Sequence, residues 1–258
     1  MVQILERAPA APQRRHPNLI LHCGAHAVEL DQVARVNTPK STSTWHPIPH
    51  HQLIDTVQRT LVATNLTIGS QAHSLTHDGS RYFGIMEIIQ RRKSSADYCW
   101  VLGLRNSHDK SFPAGIVAGS QVLCCDNLAF SGEVKIARKH TRFINRDLPQ
   151  LVSRAVGMLH DKWNQQDRRI TTYKGCDLND QAAHDLVIRS VDVGVCANSY
   201  IPEVLREWRQ PRHDAFEPRN VWSLFNAFTE TLKQASLAEL PKRTLALHGL
   251  LDVAVGLN

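Results

Sequence analysis

Apolar positions from His51 onward follow two rhythms, a helical one and a strand one. Leu53, Ile54, Val57, Leu61 and Val62 recur at i, i+1, i+4, i+8 and i+9, one face of an amphipathic helix that Asn65 and Gly69 would end. Ala72–Thr76 then reads as a strand, and Tyr82–Ile89 as its returning partner. Between them, Asp78-Gly79 is a strong short hairpin signal, because tight turns of the mirror-image kind need positive φ and Gly supplies it at little cost. Cys99–Leu104 and the long run Ala114–Cys125 continue the strand rhythm. The polar stretch Arg105–Ser111 separates them as a turn. Gly115 and Gly119 suggest bulges or a close backbone approach.

The helical rhythm returns at Asp147–Gln165, where Leu148, Leu151, Val152, Ala155, Val156, Leu159 and Trp163 line one face. Asn145 or Arg146 would precede its start, with Pro149 tolerated in the first turn. Further helices are expected at Asn179–Ser190, Pro202–Arg209, Val221–Gln234 and Lys242–Val253, with Asn220 as an N-cap. The pattern predicts an α+β fold: an antiparallel β-meander packed against helices on one face, with an α-helical C-terminal region. Residues 1–50 carry Pro9, Pro12, Pro17, Pro39, Pro47 and Pro49, so they read as a largely irregular extension with room for one short strand. The expected division is a Pro-rich extension at 1–50, an α+β core at 51–170 and a helical region at 171–258.

Composition adds a charge bias to an ordinary globular balance. Apolar residues make up 42% of the 258 positions and charged ones 21%, and 30 Lys+Arg against 24 Asp+Glu leave a net charge of +6. That excess favours a polyanionic or acidic partner. No stretch reaches the roughly 18 consecutive apolar residues of a membrane span. The opening residues lack the apolar segment of a secretion signal. A soluble, cytoplasmic protein is the expectation, with its six scattered cysteines reduced and acting as small hydrophobes.

The cations cluster. Lys135, Arg138, Lys139, Arg142 and Arg146 crowd into twelve residues together with His140, and Arg91-Arg92-Lys93 forms a second run. Cations set against phosphates release condensed counterions, which gives affinity without sequence preference. A solvated face is the plainer reading of each run, but the net charge and the Arg168-Arg169 pair favour nucleic-acid contact. Arg105 opens a turn that could touch a base. In that turn Ser107, His108 and Asp109 are consecutive, and neighbouring side chains diverge too far to relay a proton. Turn chemistry accounts for Asn106, Ser107 and Asp109.

Chemistry is otherwise poorly served. The 14 histidines include His22, His26, His46, His50 and His51, yet none is spaced as a zinc knuckle. Phosphate-loop and dinucleotide signatures are missing from the sequence. No cofactor, no metal and no catalysis are expected.

Gly69–Trp163, with the Arg105–Ser111 turn and the Cys125–Phe130 segment inside it, resembles phage- and plasmid-encoded proteins grouped as a domain of unknown function, the "phage/plasmid-like protein" family. The resemblance covers roughly residues 50–165 and implies a mobile-element setting, with no catalytic residues to carry over. The order of helix, antiparallel meander, basic segment and long helix is also similar in layout to single-strand-annealing recombinases, which form rings and hold single-stranded DNA in a basic groove. That likeness implies a groove lined by Lys135–Arg146 and Arg91–Lys93. The expected function is single-stranded-DNA binding or annealing in phage or plasmid recombination or replication, by a homo-oligomer. The alternative is an anti-defence protein that binds a host protein or nucleoprotein complex.

Overall fold

The structure is a computed structural model that describes residues 26–89, 98–122, 128–138, 140–235 and 239–257, the backbone alone at 122 and 128–138. Six strands form one antiparallel sheet in chain order: β1 (His26–Val28), β2 (Thr67–Thr76), β3 (Arg81–Ile89), β4 (Tyr98–Ser107), β5 (Ala114–Val122) and β6 (Leu128–Arg138). Helices α1 (Leu30–Ala34) and α2 (His50–Ala63) lie between β1 and β2. Six more helices follow the sheet: α3 (Ile144–Gly157), α4 (Leu159–Gly175), α5 (Asp180–Asp192), α6 (Ile201–Arg209), α7 (Val221–Leu232) and α8 (Leu240–Ala254). The α+β class and the meander are as the hydrophobic pattern predicts.

Register explains how the sheet is buried. Met86 and Ile88 of β3, Trp100, Leu102 and Leu104 of β4, and Ile116 and Ala118 of β5 share a cluster with the apolar faces of α2 and α3. The alternate positions are apolar too. Ile85 and Val101, flanked by Phe83, Cys99 and Val117, pack into a second cluster built from the C-terminal helices. The expectation of a sheet covered on one face is therefore corrected: helices cover both. Strands apolar at both parities have no face to give to water. Helix α4 joins the layers, giving Leu159 and Trp163 to the first cluster and Ile170 and Tyr173 to the second. The stripe Trp222, Phe225, Phe228 and Leu232 on α7 is core, at most 4% exposed.

Three boundaries differ from the sequence reading. Strand β4 runs on through Arg105, Asn106 and Ser107, which pair with Phe83, Tyr82 and Arg81, so the turn begins only at His108. Asn106 and Ser107 are fully buried and hydrogen-bonded, which lets a strand carry residue types that usually favour turns. The segment read as a basic linker is largely β6, an edge strand whose register shifts twice against β5. The long helix at 147–165 is two helices that meet at Met158, and Pro149 lies in the second turn of α3 rather than the first. The hairpin at 77–80 does form, but it needs positive φ at His77 and Asp78 as well as Gly79. The end of the predicted strand at 123–125 falls outside the described residues.

One close approach requires its glycine. A Cβ at Gly84 would sit 2.0 Å from the Tyr82 hydroxyl, which lies across the strand to meet His73 Nδ1 at 2.9 Å. Trp163, 1% exposed, packs its ring 5.8 Å from that of Trp100. Trp163→Ala should cost about 3–5 kcal/mol of folding stability. A denaturant titration reads this directly, and an unchanged midpoint would place the indole outside the core.

Candidate functional site

The site begins with one peptide group. Ile48, fully buried, lies between Pro47 and Pro49 just before α2. Its N–H donates to His140 Nδ1 at 3.0 Å, and its carbonyl accepts from Asn106 Nδ2 and from His108 Nε2, each at 2.8 Å. Segments remote in sequence meet here: the loop before α2, the end of β4 with its following turn, and the basic segment before α3.

Histidines make up the lock. His50, at the start of α2, stacks on His108 with ring centroids 3.8 Å apart. Its Nε2 donates to the Gly79 carbonyl at 2.9 Å, and its Nδ1 lies 2.9 Å from Asn106 Nδ2. A carbonyl can only accept, so Asn106 must present its amino group to Ile48, and His50 Nδ1 must then be an acceptor. The same logic makes His140 Nδ1 an acceptor from the Ile48 amide. Both rings fit this arrangement only when neutral. Burial, reinforced by the neighbouring His108, lowers His50 to a pKa of about 3 and His140 to about 4. Burial lowers His108 as well, against the opposing pull of its bond to Ile48 and of Asp109. At 1–6% exposure these rings meet no solute, and their role is to hold chain segments together.

Over the lock lies a face of aromatic rings and cations. His46 N–H donates to the His140 carbonyl at 2.8 Å, which draws Trp45 beside the His140 ring with centroids 6.2 Å apart. Lys110, exposed at the tip of the turn with φ 65°, sets its Nζ 5.0 Å from the Trp45 ring centroid. Arg81 pairs with Asp109 at 2.6 Å and steadies the same turn. Burial pushes the Asp109 carboxyl up, but the Ser111 hydroxyl and amide and the Arg81 guanidinium outweigh it and hold the group at about 2. Three residues beyond His140, Phe143 is 51% exposed and has two guanidinium groups near its ring, Arg146 at 4.6 Å and Arg142 at 5.8 Å from the centroid. Arg146 also contacts Asp147 at 3.0 Å, a surface pair of little energetic weight.

Of the residues expected at the site, Arg142 and Arg146 stand on this face. Lys135 and Arg138 lie in β6, where Arg138 pairs with Ala114 and so ends at the same end of the sheet. Arg105 does not join them. Its partners in register are Phe83 and Gly115, which places it on the side of the sheet facing the C-terminal helices, over Phe112 at 5.7 Å. Arg91, Arg92, Lys93 and Lys139 lie outside the described residues. Arg169, counted with Arg168 as a surface cation, is instead buried against Asp252 at 2.7 Å, while Arg168 is exposed. Sequence reasoning missed Trp45, Lys110 and Phe143. An aromatic residue next to a cation, as in Arg142-Phe143, was the available signal.

Fold and site define an α+β protein with a cation-and-aromatic face at one end of its sheet. The chain belongs to the family described as Domain of unknown function (DUF932), which matches residues 40–246. The match is longer than the stretch that carried the resemblance, and takes in both the Trp45 loop and most of the C-terminal helices. No curated protein and no solved structure matches the chain. Among the described residues, no group of three or more His, Cys, Asp or Glu is arranged to hold a metal ion, and no helix is long and apolar enough to cross a membrane.

Asn106→Ala would leave His50 Nδ1 unpaired and the Ile48 carbonyl with one donor. A loss of about 1–3 kcal/mol of stability is expected, read by chemical denaturation at pH 7.5. A loss well below that range would mean that the lock does not depend on the amide.

Proposed function

We propose that this protein binds single-stranded nucleic acid without sequence preference, in the recombination or replication of a phage or plasmid. The observation that carries the reading is the exposed Phe143 ring with the guanidinium groups of Arg142 and Arg146 close to it. Guanidinium groups on an aromatic ring join the two interactions a single strand offers, base stacking and phosphate attraction. Trp45 with Lys110 repeats the combination beside the His140 ring. Unpaired bases can reach such rings, whereas bases within a duplex are stacked on one another, so single strands are the preferred ligand. The net charge of +6 adds long-range attraction. The order α2, then β2–β6, then α3 and α4 keeps the helix, meander and helix of the layout that suggested single-strand annealing, but most of its basic segment is β6 and its long helix is two, so that likeness adds only an analogy of arrangement. In this reading the protein acts by tracking the backbone as a homo-oligomer, with no bond made or broken.

The test is fluorescence anisotropy on labelled oligonucleotides across a salt series. Lys110→Ala, Arg142→Ala and Arg146→Ala combined should weaken binding to all sequences alike and reduce the log–log salt slope by about 2, or about 0.7 per lost contact. Phe143→Ala alone should cost about 1–3 kcal/mol of binding with the slope unchanged. A parent protein that ignores single strands at low salt sinks the reading, as does a triple variant that binds as tightly as the parent. Inhibition of a host defence protein would then be the better account.

A further inference from the structure

Two acceptor nitrogens at the centre of the lock cannot take a proton where they stand. Protonated His140 would point Nδ1–H at the Ile48 N–H, and protonated His50 would point Nδ1–H at the Asn106 amino group. Asn106 cannot turn to accept, because its carbonyl oxygen would then face the Ile48 carbonyl. In each case a donor meets a donor, and the segment must part before the ring can charge. We propose that mild acid switches the cation-and-aromatic face off: protonation of His50 and His140 frees the 40–50 segment from the basic segment and carries Trp45 away from the face. This rests on the proposed single-strand reading for its consequence, but the opening itself is a property of the protein alone.

The surroundings favour the neutral rings. His50 is faced by His108, His51, Tyr82, Asn106 and the Gly79 carbonyl, and His140 by Trp45, His46 and His108. Burial raises the Tyr82 phenol, so it stays protonated and supplies no charge. Asp109 is the carboxylate that acts on the cluster among the described residues, and it acts on His108 while paired to Arg81. Lys110 adds positive charge above.

The sign follows from linkage. His50 and His140 are depressed from 6.5 to about 3 and about 4 when closed, and return toward 6.5 when the segment opens. The closed form is fully favoured above pH 6.5 and loses ground as pH falls below it. Each histidine shifts the opening equilibrium about tenfold per pH unit until its closed value is reached. Between pH 7.5 and 5.5 the two together should favour opening by about a hundredfold.

Hydrogen exchange by mass spectrometry on the whole chain, corrected for intrinsic rates, reads this without any ligand. Peptides spanning 40–50 should open about a hundredfold more at pH 5.5 than at 7.5. In the double variant His50→Asn, His140→Asn, whose amide oxygens stand where the Nδ1 acceptors were, the hundredfold contribution of the two rings should be lost, leaving only the part that His108 supplies through its bond to Ile48. Should that variant not fold, His140→Asn alone should cut the shift to about tenfold. Equal protection of the parent at both pH values overturns the proposal, and so does a variant that opens with acid as the parent does. On oligonucleotides the parent should bind more weakly at pH 5.5. Surface histidines gaining charge would strengthen binding instead, so a rise in affinity also counts against the switch. If the parent binds no strand at pH 7.5, the functional reading falls and the exchange result still decides the switch.

Discussion

The peptide group of Ile48 is the constraint on which the site is built. It has one donor and one acceptor with two lone pairs, and all are taken by side chains 58 to 92 residues away. A buried peptide with no regular strand or helix around it must find such partners or lose the free energy of desolvation. Here the partners come from the end of β4, the turn after it and the segment entering α3. Satisfying one loop peptide therefore fixes the relative positions of three surface loops. Trp45, Lys110 and Phe143 belong to those loops, and their spacing follows from it.

The sheet behind the site owes its rigidity to burial on both faces. Its second cover, the C-terminal helices, is fastened by a polar cluster as well as by apolar contact. Arg169 on α4 meets Asp252 on α8 through Nε at 2.8 Å and Nη2 at 2.7 Å. The Tyr173 hydroxyl donates to the same carboxylate at 2.6 Å, and Phe225 stacks on His248 beside it. Burial, with Arg169 adding to it, holds His248 neutral at about 3. Removing a single partner from such a pair strands a buried charge. The family match, residues 40–246, spans β2 to β6 and most of this helical cover.

Much of this fold was legible because period alone decides it. Short apolar runs bounded by turns placed β2 to β5 in order, and the apolar faces of α5 to α8 were found within a few residues of their true ends. Asn220 does cap its helix, accepting from Ser223, and Asn179, read as the first helical residue, proves to be a cap that accepts from Ala182. What was hidden is instructive in each case. Strand β6 alternates as well, with Phe130, Val134 and Ile136 spaced by even steps, but Glu133, Lys135 and Arg138 drew attention to charge instead of period. Asn106 and Ser107 carry turn propensity that burial and long-range hydrogen bonds override. The site was legible only in part, as Arg142 and Arg146. Its other members depend on pairings across the chain, and a local pattern carries no trace of a bond from His140 to Ile48.

Two kinds of basic group are divided between the face and the lock beneath it. Every cation on the exposed face is Lys or Arg, whose charge is fixed across the physiological range. The groups beneath it are imidazoles held neutral by burial and by hydrogen bonds that use Nδ1 as acceptor. Charged rings there would add repulsion under a face already positive, and would break the bonds that shape it. Neutral rings let the face keep its full positive potential while its geometry depends on uncharged hydrogen bonds, which salt screens little. In the proposed reading, ionic strength acts on attraction at the surface and pH acts on the geometry beneath. The two solution variables would then reach the same face through separate residues.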